Sequence, residues 1–215
     1  MKRTLTCLVG VLVTLAIAAA PASAANLLAN PGFEIPVLAG GDTPGAVGWS
    51  DFGAAFTIKV APHSGDNAFK TFGGTSGIFQ DFPAQPGQPW QGSAWILNPS
   101  FDAMAGAQIA VANIEWRDAG LNLISFISSQ EINASTPTGD QASDYNFVDV
   151  SGIAPPNTAV ARFVLLTGAF AGPGGGAPFF DDASLELVPE PASVLLVGLA
   201  AVAGVGVVRR RKPRQ

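Results

Sequence analysis

From residue 25 to residue 187 the chain is a succession of short extended runs, each cut off by glycine, proline, asparagine or aspartate. Eight stand out: AFTIKVA, SGIFQDF, QGSAWIL, AQIAVANIEW, NLISFIS, YNFVDVSG, AVARFVLLT and FFDDASLELV. No window keeps a 3.6-residue period apart from a weak patch at 101–112, and there is neither a fixed repeat nor a strand–helix alternation. The pattern predicts an all-β domain built as a two-sheet antiparallel β-sandwich. Residues 25–187, about 160 in all, are enough for one such core. The 25 glycines and 17 prolines, against only 13% charged residues, point the same way, toward turns and short strands. In RDAGLN, Asp118 and Gly120 stand where a hairpin needs a polar and a positive-φ residue. Pro155 and Pro156 mark a turn, and GPGGGAP (172–178) reads as a mobile loop before the last strand.

Both ends differ from this body. Residues 1–24 have a basic start at Lys2 and Arg3, an apolar run from Leu8 to Ala20, and small residues at Ala22 and Ala24. That is the layout of a secretory signal peptide cleaved between Ala24 and Ala25, which calls on signal peptidase and the general secretion machinery. The single cysteine, Cys7, lies inside this segment, so the mature body has no disulfide and no thiolate chemistry. At the other end, residues 192–208 form an uncharged run of seventeen, a length at the lower limit for crossing a bilayer as a helix. The basic residues that follow, from Arg209 on, would stay cytoplasmic and leave the body outside. From Glu34 to Glu190 stand four basic and sixteen acidic residues, a net −12, which excludes nucleic acid as a partner.

Val188-Pro189-Glu190-Pro191, then the apolar segment, then the basic end, resembles the PEP-CTERM sorting signal of Gram-negative bacteria. The resemblance covers residues 188–215. It implies an exosortase-type membrane peptidase as partner, transient anchoring in the inner membrane, and delivery to the cell surface or medium, commonly alongside exopolysaccharide production.

The last strand, FFDDASLELV, alternates so that Asp181, Ala183, Leu185 and Leu187 share the apolar face. A core-facing Asp181 needs a cation or several donors. Glu34 closes the opening phrase NLLANPGFE, and if the first and last strands lie side by side the two carboxylates could meet around a hard cation such as Ca²⁺. The alternative is that both sit at solvent-exposed strand ends. NLLANPGFE, Trp49, HSGDNAFK, IEWRDAGLNLI and PFFDDASLEL together resemble the galactose-binding-like jelly roll of bacterial carbohydrate-binding modules. That resemblance implies a structural Ca²⁺ held by the Gly32 carbonyl, Glu34, the Asp66 loop and Asp181. Pro31 replaces the family's usual Asn, and Asp66 stands where a carbonyl is usual.

No catalytic set emerges. His63 is the one histidine and reads as a loop residue, no nucleophile elbow is present, and the glycine-rich stretch lacks a phosphate loop's ending. Sugar binding asks only for exposed rings flanked by polar groups. Trp95 and Trp116 fall inside strands and read as core; Trp90, after a proline-rich turn, is the expected exposed ring, with Tyr145 and Trp49 as further candidates. The expected function is non-catalytic association with extracellular polysaccharide. The alternative is a structural, self-associating surface protein that binds no sugar.

Overall fold

The protein is described here by a computed structural model over residues 25–188. The segment 1–24 read as a signal peptide, Pro189, Glu190, Pro191, the apolar run and the basic end all lie outside the described residues. Ten strands follow in order: β1 (Thr43–Pro44), β2 (Ser50–Ile58), β3 (Ala68–Pro83), β4 (Pro89–Leu97), β5 (Ala105–Arg117), β6 (Leu123–Ser128), β7 (Ile132–Asn133), β8 (Asn146–Ile153), β9 (Val160–Gly175) and β10 (Phe179–Leu187). Each of the eight runs picked out in the sequence overlaps one of them. Among the described residues no helix is long and apolar enough to cross a membrane.

Hydrogen bonding runs without a break in the order β6-β5-β9-β3-β10-β4-β8, with β2 also on β3, and every strand pair is antiparallel. The continuous sheet becomes a sandwich because β3 serves both layers. Phe69 and Lys70 pair with β10, whereas Ser76–Pro83 pair with β9. Gly73, at φ 83°, lies between those two stretches, in a conformation glycine adopts without cost. The layers face each other closely: a Cβ on Gly92 of β4 would come within 2.5 Å of the Phe163 ring of β9.

Side chains alternate as a two-faced sheet requires. On β5, Ala110, Ala112, Ile114 and Trp116 enter the core, joined by Phe69, Ile78, Trp90, Ile96, Phe163, Leu165, Phe180 and Leu185. Each large apolar side chain so buried contributes roughly 1.5–3 kcal/mol. Trp90 is only 2% exposed, so the ring expected at the surface belongs to the core. Pro89 begins β4 itself, and the strand turns Trp90 inward against Phe82.

Three local expectations are corrected. The patch at 101–112 is a single 3-10 turn, Ser100–Asp102, followed by β5. Gly172–Gly175 is not a loop but the end of β9, with Gly174 and Gly175 opposite Gly106 and Ala105. The two chains approach so closely that a Cβ on Gly174 would sit 2.6 Å from the Gln108 nitrogen, and one on Gly106 2.2 Å from the Pro173 oxygen. Glycine there serves close pairing rather than mobility. In the β5–β6 turn the positive φ falls on Leu121 (64°), because the Asp118 carboxylate accepts from the Gly120 and Asn122 amides and fixes the turn around itself.

Candidate functional site

Two places gather polar groups. One lies where the N-terminal segment runs beside β10. That segment is not a strand, but the Leu27 amide donates to the Leu185 carbonyl and the Ala183 amide to the Pro31 carbonyl, which brings the Gly32–Glu34 turn to Asp181. A β-bulge interrupts β10 between Asp181 and Ser184, with Asp182 at φ 43°. Asp181 is fully buried, as its place in the apolar row requires. Its carboxylate accepts from the amides of His63 (2.8 Å), Ser64 (3.2 Å) and Asp182 (2.7 Å). Burial pushes its pKa up to about 7, with the neighbouring Asp182 charge adding to the rise and the three amides opposing it.

Glu34 is half-buried and accepts from the Asp66 and Asn67 amides. Gly32 stands among the acids: a Cβ there would lie 3.4 Å from Asp182 Oδ1, 3.8 Å from Asp181 Oδ1 and 3.9 Å from Glu34 Cγ. Gly32, Glu34 and Asp181 therefore come together, while Asp66 reaches Glu34 through its backbone N–H. Among the described residues no group of three His, Cys, Asp or Glu side chains is arranged to hold a metal ion. A cation here would depend on main-chain oxygens as well as on Glu34 and Asp181. Oxygen donors of this kind suit Ca²⁺ and not a softer metal.

His63 is more than a loop residue. Its Nδ1 lies 2.7 Å from Asp182 Oδ2, and its ring stacks on Trp95 with centroids 4.1 Å apart. Ser64 Oγ donates to Asp182 Oδ1, so serine and histidine both face the aspartate and not each other. Tyr145 is buried here, its hydroxyl donating to the Ala61 carbonyl, and Trp49 is buried with its Nε1 donating to Asn30. Trp49, Trp90 and Tyr145, the three rings expected to face a ligand, are thus all largely enclosed by protein.

The second place is a trough on the face of β5 and β9 turned away from the core. It has two lobes of about 400 Å³ and about 430 Å³. Glu115, Leu166 and Phe170 line both. Val164 floors the first lobe, with Phe52 and Phe79 beside it; Ile109 and Val111 floor the second, with Leu123 and Phe126 beside it. Phe170 is 58% exposed and Phe126 56%. Phe170 folds over Gly168, where a Cβ would meet its ring at 2.4 Å.

Polar groups are set among these apolar ones. Arg162 donates to both Asp81 oxygens, at 2.7 and 2.8 Å, and lies 3.7 Å above the Phe79 ring. The hydrogen bond to Asp81 raises the Arg162 pKa further, so its charge is permanent. Arg117 donates to Glu115 (2.9 Å) and to the Leu121 carbonyl. Asn113, 4% exposed, lines the second lobe with its buried Oδ1 left without a partner. A buried acceptor without a donor is costly. None of these residues was singled out in the sequence, although their signal is present there. Along β5 the core-facing set is Ala, Ala, Ile, Trp, while the opposite set, Ile109, Val111, Asn113, Glu115 and Arg117, mixes apolar and polar.

Residues 187–212 match the PEP-CTERM protein-sorting motif, which marks an exported chain carrying a C-terminal sorting signal. A search of curated protein sequences finds no match. Among solved structures the body resembles the active domain of tailspike protein 4 from bacteriophage CBA120 (16% identity, TM-score 0.51). The alignment covers 76% of this chain and 21% of that one, so this chain spans about a fifth of the tailspike. It also resembles the Stig cyclase Fisc of Fischerella sp. TAU (16% identity, TM-score 0.55, 79% of this chain and 100% of that one). A third is the CBM22-1 xylan-binding domain of Paenibacillus barcinonensis Xyn10C (14% identity, TM-score 0.52, 80% and 100%). At such identities the likeness is one of fold: an all-β jelly roll that serves binding modules and enzymes alike.

Proposed function

We propose that this is an exported protein whose jelly-roll body associates with extracellular polysaccharide, without catalysis, through the trough on β5 and β9. The observation that carries this reading is the trough itself: Phe170 and Phe126 stand exposed along it beside Glu131, an exposed acceptor, and the Arg117–Glu115 pair. Aromatic rings stack on the C–H faces of sugars, and sugar hydroxyls donate to an exposed carboxylate such as Glu131. In this reading such a body ends outside the inner membrane, at the cell surface or in the medium of a Gram-negative cell, after processing by an exosortase-type peptidase, and the C-terminal sorting motif supports it.

A non-catalytic role is supported by the state of the carboxylates. Glu115 and Asp81 are tied to Arg117 and Arg162, which leaves Glu131, among the described residues, as a lone free carboxylate in the trough where glycoside hydrolysis uses a pair. Ser64 and His63 converge on Asp182 and form no relay.

Calcium in this reading is structural, held at the Gly32–Glu34 turn and Asp181, where it would compensate a buried carboxylate that has no Lys or Arg partner among the described residues. Addition of Ca²⁺ to the metal-free protein should then raise the unfolding temperature, and a chelator should reverse the rise. An unfolding temperature indifferent to both would remove the cation.

The test of the main reading is affinity electrophoresis of residues 25–188, which contain every described strand and form one compact unit, through gels cast with polysaccharide. Retardation lost in Phe170→Ala, at unchanged unfolding temperature, supports the trough. Equal mobility in all gels contradicts it. Self-association is the second reading, favoured by β6, an edge strand with Leu123, Ile124 and Phe126 exposed and no charge or proline along it. A concentration-dependent mass in light scattering, abolished by Ile124→Lys, would favour it.

A further inference from the structure

Resting on the polysaccharide reading, we infer that the trough selects an uncharged, hydroxyl-rich chain that straddles Phe170, and discriminates against polymers bearing uronate, sulfate or phosphate groups. The first ground is the fate of its two cations. Recognition of an anionic sugar requires a guanidinium or ammonium whose charge is not already spent. Arg162 gives two N–H groups to Asp81 and lays its plane on Phe79. Arg117 gives Nε and Nη2 to Glu115 and Nη1 to the Leu121 carbonyl. Each arginine is therefore neutralised by its own carboxylate and held in place by it.

The second ground is what remains unpaired. Glu131 lines the second lobe, is exposed, and has no cationic partner among the described residues. It is an acceptor, which sugar hydroxyls satisfy and sugar carboxylates or sulfates do not. The body adds fifteen acidic against four basic residues over 25–188, a field that keeps a polyanion at a distance.

The third ground is shape. Two lobes of similar volume share Glu115, Leu166 and Phe170. A ligand that uses Phe170 as its stacking ring meets polar groups on both sides, Glu131 in one direction and the Arg117–Glu115 pair in the other. An extended chain fits this layout better than a single sugar.

The experiment passes residues 25–188 through gels containing a neutral β-glucan, xylan or galactomannan, and through gels containing alginate, polygalacturonate or dextran sulfate. Retardation in a neutral polymer is expected, unchanged between low salt and about 0.5 M NaCl, where exposed charges are screened within a few ångströms. Phe170→Ala should weaken it roughly tenfold, the scale of one aromatic stacking contact. Glu131→Lys, which places an unpaired cation in the trough, should create retardation in polygalacturonate that the native body lacks. Retardation of the native body by the acidic polymers, relieved by salt and stronger than by any neutral one, would overturn the inference and leave the polysaccharide reading standing. Retardation by none would remove both.

Discussion

Two residues show what patterning can and cannot say about a side chain. Asp181 heads the apolar row of its strand, and period two alone places it in the core; its three amide donors come from the distant 63–64 loop and from the bulge at Asp182. With its pKa raised to about 7, the native fold holds this proton more tightly than the unfolded chain does. The contribution of Asp181 is thus fully present below the ordinary carboxylate value of about 4 and is lost as pH rises through about 7. The loss is on the order of 4 kcal/mol in the metal-free protein. Denaturant titrations across that window should show stability falling. Asp181→Asn should flatten the fall while lowering stability overall, since asparagine accepts through one oxygen only. Trp90 is the opposite lesson. A flanking proline-rich turn suggests exposure, yet the ring is enclosed, because burial depends on which layer lies across from β4, and nothing local encodes that. Trp90→Ala should cost roughly 3–5 kcal/mol, read as a drop in denaturant midpoint, so any loss of sugar binding in that variant would report unfolding.

At the scale of elements, the eight runs were legible because strands of this kind carry their own punctuation, and each overlaps a real strand. What escaped was the pairing of glycine-rich backbone. Gly172–Gly175 looks like a loop in one dimension, since nothing in it resembles a strand's side chains. It pairs only because Gly106 lies opposite, and the two stretches stand 66 or more residues apart. Gly106 also adopts φ 62°. Gly106→Ala should therefore destabilise by several kcal/mol, on the order of a core truncation and well beyond the ~1 kcal/mol of an unhindered glycine replacement. Comparison of unfolding free energies with Gly73→Ala, where the new Cβ would meet nothing within 4 Å, isolates the close approach. The same blindness hid the trough. Its lining comes from β2, β3, β5, β6 and β9, and only the mixed face of β5 announces it in sequence.

At the scale of the whole molecule, the sequence divides into a sorting apparatus legible letter by letter and a body whose fold is legible only in outline. The sorting motif is a local string read by another protein, so its meaning survives without a structure. The proposed binding surface is a product of layers, and became visible only when five strands were assembled. The jelly roll accounts for both polar places: its closing strand brings Asp181 to the opening phrase, and its outward β5–β9 face leaves a trough with aromatic rims and internally paired arginines. The proposed function requires that glycan be held on that face. Amide chemical-shift mapping of residues 25–188, with and without a neutral oligosaccharide, examines this directly. Shifts concentrated at 109–117, 123–128 and 162–170 are predicted; shifts confined to the Asp181–His63 end, or none at saturating sugar, would contradict it.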